Sequence, residues 1–141
     1  MRALALSLAA LACLAGCQPG PGIAVEDPWI RAVPPSASAT AGYLVLVNGS
    51  GDDLVLESVS AAGVARTEIH ETTMTDGVMR MRELDAVTIP AGETLAFAPG
   101  GLHLMLFAEP LPAAGSSVTL QLGFADGRVL AVEAPVRRGT D

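Results

Sequence analysis

The chain of 141 residues contains no lysine: its eight basic residues are all arginine, set against fifteen acidic ones for a formal net charge of −7. Those arginines are scattered, and an acidic chain without a basic stripe is a poor match for a nucleic-acid surface. Charged residues make up 16% and hydrophobic residues half of the chain, which excludes a disordered or fibrous protein. Beyond the N-terminal segment no stretch shows an apolar period of 3.6 residues, so helices are not expected. Repeats and low-complexity tracts are also missing. There is no Gly-x-Ser-x-Gly elbow, and the only two histidines, His70 and His103, do not form His-Glu-x-x-His, which argues against serine hydrolases and zinc peptidases. What is left is room for one domain with an ordinary core.

Cysteine is nearly absent too, and both examples, Cys13 and Cys17, fall in the opening "MRALALSLAALACLAGC". Arg2 gives that stretch a positive start, and the Ala/Leu run after it is too short to span a bilayer, as in a secretory signal peptide. Its end, Leu14-Ala15-Gly16-Cys17, resembles the bacterial lipoprotein processing box, in which the cysteine becomes the lipid-modified first residue. The expected organisation is a signal peptide over 1–16, a lipidated Cys17 with a Pro/Gly tether over 17–22, a β-domain over 23–137 and a short tail over 138–141. The bland alternative is ordinary cleavage nearby, with Cys17 a stray thiol or removed. Under the lipoprotein reading the protein is exported to the bacterial periplasm or cell envelope and anchored to a membrane. Its domain then has no thiol for a disulfide, a nucleophile or a metal.

The domain reads as short strands punctuated by turns. "YLVLVNGSGDDLVLESV" is two alternating runs around a polar loop in which Asp52 and Asp53 serve the turn, and "VTIPAGETLAF" is strand, Pro-Ala-Gly turn, strand. "SVTLQLGFADGRVLAVEA" is a hairpin turning at Asp126-Gly127, with Val118, Leu120, Leu122 and Phe124 on one face. Eight or nine such strands predict an all-β antiparallel sandwich or small barrel. "RAVPPSASATAG" is expected to be a surface loop leading into Tyr43. Trp29, the single tryptophan, is expected in the core.

The informative residues are soft. Apart from Met1, the methionines are Met74, Met79, Met81 and Met105, and with both histidines they all fall between residues 70 and 105. "IHETTMTDGVMRMRE" reads as two strands around Asp76-Gly77, a favoured tight turn. A two-residue turn there sets 70 opposite 83, 72 opposite 81 and 74 opposite 79. His70, Met74, Met79 and Met81 then share a face, with Arg80 and Arg82 on the reverse; a one-residue bulge would flip one arm. In "GGLHLMLF" the two-residue rhythm puts His103 and Met105 on one face whatever the register. Neutral imidazole binds several transition metals, but thioether is a soft donor, and two of each fit Cu(I). For Met74 and Met79, packing and an accessory copper contact both remain open. Glu71 and Glu83 flank the hairpin, either orienting an imidazole or simply solvated.

The spacing His70, ten residues, Met81, twenty-one residues, His103, one residue, Met105 resembles the H-x(10)-M-x(21)-H-x-M signature of the periplasmic copper-chaperone family PCuAC. "DPWIRAVPPSASATAGYLVLVN", "GVMRMRELDAVTIPAGETLAFAPGGLHLMLF" and "LQLGF" resemble family segments as well, so the likeness covers nearly all of the domain. It implies a cupredoxin-like β-sandwich holding one Cu(I) per chain on His70, Met81, His103 and Met105, with no catalytic residues. It further implies copper delivery toward cytochrome oxidase centres, with an oxidase subunit or a Sco-type thiol protein as partner. Two departures stand out: Thr72 occupies a position where family members often carry Met, and the tail "VRRGTD" lacks the His/Met-rich extension that binds a second copper in some of them.

Three classes of function are thus in play. A copper carrier accounts for the clustered His and Met. Blue-copper electron transfer needs a cysteine ligand that the domain lacks. Copper storage or resistance, or a metal-free lipid-anchored structural or interaction module, are the alternatives to delivery.

Overall fold

The computed structural model describes residues 22–139; the expected signal peptide and Cys17 lie outside the described residues. Ten strands follow one another, with no helix among the described residues: β1 (Ile23–Arg31), β2 (Ala39–Asn48), β3 (Leu54–Ala61), β4 (Arg66–Thr75), β5 (Val78–Leu84), β6 (Val87–Ile89), β7 (Thr94–Phe97), β8 (Leu102–Phe107), β9 (Ser117–Phe124) and β10 (Val129–Arg137). The all-β expectation holds. Strand β2 takes in residues 39–42, so the polar loop before Tyr43 is shorter than its composition suggested, and Tyr43 sits in mid-strand.

The strands run in the order β5-β4-β8-β2-β1-β10-β9-β3-β6, with β7 also paired to β2. Every pairing is antiparallel except β1 with β10, whose short parallel contact, Ile30 to Val136 and Arg31 to Arg137, joins the two halves of this path. One half is β5-β4-β8-β2-β1 with β7, the other β10-β9-β3-β6. The successive strands read at "YLVLVNGSGDDLVLESV" and "VTIPAGETLAF" cross between halves: β2 and β7 lie in the first, β3 and β6 in the second. Such corners need their backbone groups satisfied. Buried Asn48 does this, its Nδ2 donating to the carbonyls of Ile89 at 2.9 Å and Asp52 at 2.8 Å. Asp53 does serve the turn region, its Oδ1 accepting from the Ala91 N–H at 2.9 Å.

Alternation along each strand sends one set of side chains between the halves. Ile30, Leu44, Leu46, Leu56, Ile89, Leu104, Leu106, Leu120, Leu122 and Val136 are essentially solvent-free there. At about 25 cal/mol per Å2 of apolar surface this burial is the main stabilising term. Gly42 belongs to the same face: a Cβ on it would meet Leu106 Cδ1 at 3.2 Å and Leu104 Cβ at 3.4 Å, so the glycine lets β2 lie close against its neighbours.

Trp29 is not in this core, contrary to expectation. Strand β1 changes register between Glu26 and Trp29, around Asp27 with its φ of 42°, and Trp29 ends half-buried on the other side of the sheet. There its ring stacks on Tyr43 at 4.6 Å, and the Arg137 guanidinium lies 4.9 Å from its centre. An amphipathic indole gains more from this cation and ring than from a core slot with no partner for its N–H.

Candidate metal site

The hairpin of β4 and β5 forms in the register that a two-residue turn dictates. Asp76 and Gly77 both have positive φ, 52° and 76°, as a type I′ turn requires. His70 consequently opposes Glu83, Thr72 opposes Met81, and Met74 opposes Met79. Arg82 points to the reverse face, where its guanidinium donates to Glu71 at 2.8 Å. Strand β4 also pairs with β8, and that contact sets His70 directly opposite His103 and Glu68 opposite Met105. Both histidines, Met81 and Met105 thus lie on one face of one sheet, the face turned away from the core; their ring centres are 5.7 Å apart.

The approach to β8 fixes the His103 ring. In "APGG", Gly100 takes a φ of 83°, open to glycine without steric cost, and the chain turns so that the Gly101 carbonyl accepts from the Thr72 N–H at 3.0 Å. His103 Nδ1 lies 3.0 Å from that same oxygen. A carbonyl only accepts, so Nδ1 carries the proton and Nε2 keeps its lone pair. His103 is 7% exposed. It shares with Met81, Met105, Thr72, Tyr43 and Pro99 the wall of a cavity of about 250 Å3.

His70 is held differently and does not line that cavity. Its Nε2 lies 2.7 Å from Glu68 Oε2, and Arg66 Nη1 lies 2.5 Å from the other oxygen of the same carboxylate. Arg66 in turn covers the Phe107 ring at 4.2 Å. With Nε2–H donated to Glu68, the His70 Nδ1 lone pair is buried and finds no partner among the described residues. An unmatched buried acceptor of this kind costs about 1–3 kcal/mol. The arrangement therefore leaves one uncommitted imidazole lone pair on each of two adjacent strands. Glu68, His70 and Glu83 bring ligand atoms within 4.8 Å of one another, but Glu68 is already neutralised by Arg66, and a hard cation there would have to break both contacts.

Of the sequence-predicted residues, the structure gathers His103, Met81 and Met105 on one cavity and sets His70 beside them. Met74 and Met79 stand apart at the hairpin tip, 63% and 66% exposed. Of the two flanking glutamates, Glu71 is committed to Arg82 on the reverse face, and Glu83 is exposed opposite His70. Glu68 and Tyr43 were not picked out from sequence. Glu68 was within reach, because the two-residue strand period places it on the face of His70; Tyr43 was not, because its place beside His103 depends on the β2–β8 pairing.

Residues 23–136 match the family profile described as "Putative lipoprotein LpqE-like". The chain is 36% identical over 118 residues to "Putative lipoprotein Lxx21020" of Leifsonia xyli subsp. xyli, covering 82% of this chain and 70% of that protein. Among solved structures it resembles the CuI-bound form of DR1885 from Deinococcus radiodurans, with 32% identity, a TM-score of 0.68, and 90% and 85% of the two chains covered. The copper-bound PCuAC domain of PmoF2 superposes with a TM-score of 0.69 at 23% identity, over 83% and 93% of the two chains, a likeness of fold.

Proposed function

The chain belongs to the LpqE-like family and has the cupredoxin-like fold of PCuAC domains, and we propose that it is an exported, lipid-anchored Cu(I) carrier whose site is His70, Met81, His103 and Met105. The observation that carries this reading is the pair of uncommitted imidazole lone pairs on opposed strands, with two thioethers on the same face. Soft neutral donors of this kind select a soft closed-shell ion over zinc or magnesium. The relationship to a protein whose structure was solved with Cu(I), and to one described as "Putative lipoprotein Lxx21020", supports the same reading.

In this reading the residues act by holding and releasing cargo, with no covalent step. The Gly101 carbonyl and the Glu68 carboxylate fix the two rings and their tautomers, as outer partners of metal-binding histidines generally do. Met81, 53% exposed on the edge strand, leaves a side from which an acceptor's ligands can approach. That acceptor is a copper-receiving protein of the envelope, with assembly of cytochrome oxidase copper centres as the first process to examine.

The test is an anaerobic Cu(I) titration against a competing chromophoric chelator. One tightly held copper per chain, lost in His70→Ala and in Met81→Ala, is the expected result. No binding above that of a scrambled peptide would overturn the proposal and leave an anchored β-sandwich acting as an interaction module.

A further inference from the structure

The site proposed above employs Met81 and Met105 and gives Met74 and Met79 no task. We infer that Met74 and Met79 form a second, weaker soft-metal site at the hairpin tip, which takes up Cu(I) and passes it along the sheet face to the imidazoles; the inference rests on the copper reading of the main site.

Register is the first support. Met74 lies directly opposite Met79, and opposed residues of an antiparallel pair have Cβ atoms about 5 Å apart. Two unbranched thioether side chains rooted that closely can converge on one ion. Exposure is the second. Methionine in a strand is ordinarily core filler, but these two are 63% and 66% exposed, and their neighbour Val78 is 53% exposed. At that exposure, core filling does not explain them. Placement is the third. Along the hairpin the Met74–Met79 rung is followed by Thr72–Met81 and then by His70, which faces His103 across the other edge of β4. At about 3.4 Å per residue, successive rungs on one face are about 7 Å apart, so the tip stands about 14 Å from the imidazole rung. That is too far to share an ion, yet Met81 stands midway on the same face and lines the His103 cavity.

The donors therefore grade from thioether alone at the tip, through Met81, to thioether with imidazole at the base. Thioethers are neutral and bind without losing a proton, so uptake there is selective for soft ions. Two donors hold an ion less firmly than four, which directs transfer inward. Copper remains Cu(I) throughout; each step forms one sulfur or nitrogen bond to the metal as another breaks.

Methyl-13C methionine NMR of the full chain, titrated with Ag(I) as a closed-shell stand-in, tests this directly. The methyl signals of Met81 and Met105 are expected to shift over the first equivalent and those of Met74 and Met79 over a second. Met74→Leu with Met79→Leu should abolish the second step and leave the first unchanged, and should slow capture of Cu(I) from a chelator in stopped-flow mixing. Signals of Met74 and Met79 that stay fixed in excess Ag(I), while Met81 and Met105 saturate, would overturn the tip site and leave the carrier site standing. Fixed signals at Met81 and Met105 would instead remove the carrier site, and the relay with it, even if the tip pair responded.

Discussion

Two hairpins of this protein turn on the same dipeptide and are built for opposite ends. At β9–β10 the turn contains Asp126-Gly127, and every second residue of β9, from Val118 through Leu120 and Leu122 to Phe124, is buried. At β4–β5 the turn is Asp76-Gly77, and Val78, Met79 and Met81 are among the most exposed large apolar side chains described. Burial alternates along β9, whereas every residue of β5 from Val78 to Glu83 is exposed. What differs is the layer above them. Strand β4 pairs with β8 only as far as Glu71 opposite Leu102, so beyond Thr72 the hairpin pairs essentially with itself. Apolar side chains held out where nothing covers them add little to stability, and their chemistry rather than their burial is what the fold presents.

The largest effect should come from the packed hairpin. Leu122→Ala is expected to cost about 2–5 kcal/mol, measured by urea unfolding, and a loss under 1 kcal/mol would mean that this hairpin is not the packed one. Met81→Ala is the mirror test: unfolding of the metal-free protein should move by less than about 0.5 kcal/mol while Cu(I) affinity collapses. If stability fell as for Leu122→Ala, the contrast between the hairpins would be false. Next in size is Glu68→Ala, which frees the His70 ring. Losing an outer partner of a ligating histidine typically costs about 10–100-fold in metal affinity, readable by chelator competition; unchanged affinity would remove Glu68 from the site.

The smallest effect belongs to the other turn. The Arg128 guanidinium beside Asp126, with the Arg128 N–H on the same carboxylate, holds that carboxyl below the usual range. A depressed folded value contributes stability above the ordinary carboxylate range and loses it as pH falls through the folded value. The group is exposed on the surface, so Asp126→Asn should barely shift the melting temperature near neutrality, and the difference should vanish in strong acid. A large shift would show that this turn does more than close the hairpin.

What the sequence revealed was whatever depends on neighbours in the chain. The Asp76-Gly77 turn sets the 70/83, 72/81 and 74/79 register because two residues of positive φ leave the hairpin no choice, and the face shared by His103 and Met105 follows from the strand period alone. Pairings between distant segments were not legible. Nothing local says that β4 lies beside β8 and so brings His70 to His103, or that β2 and β3 belong to different halves. Trp29 was misplaced for a related reason: the register shift at Asp27 moves it off the core face, beside Tyr43 of the next strand and Arg137 from near the far end of the chain.

Strand β5 ends the sheet, so one row of its backbone N–H and C=O groups has no strand beside it among the described residues. An uncovered edge with Val78, Met79 and Met81 on show is a template on which further copies of the chain could assemble into fibrils. Arg80 and Arg82, alternating with the two methionines and sharing the face of Val78, oppose this. Copies stacking in register along that edge would bring arginine against arginine, and the second of these would have to give up Glu71 or carry it along. On the proposal that this bare surface meets a soft ion, it is guarded by charge against meeting itself.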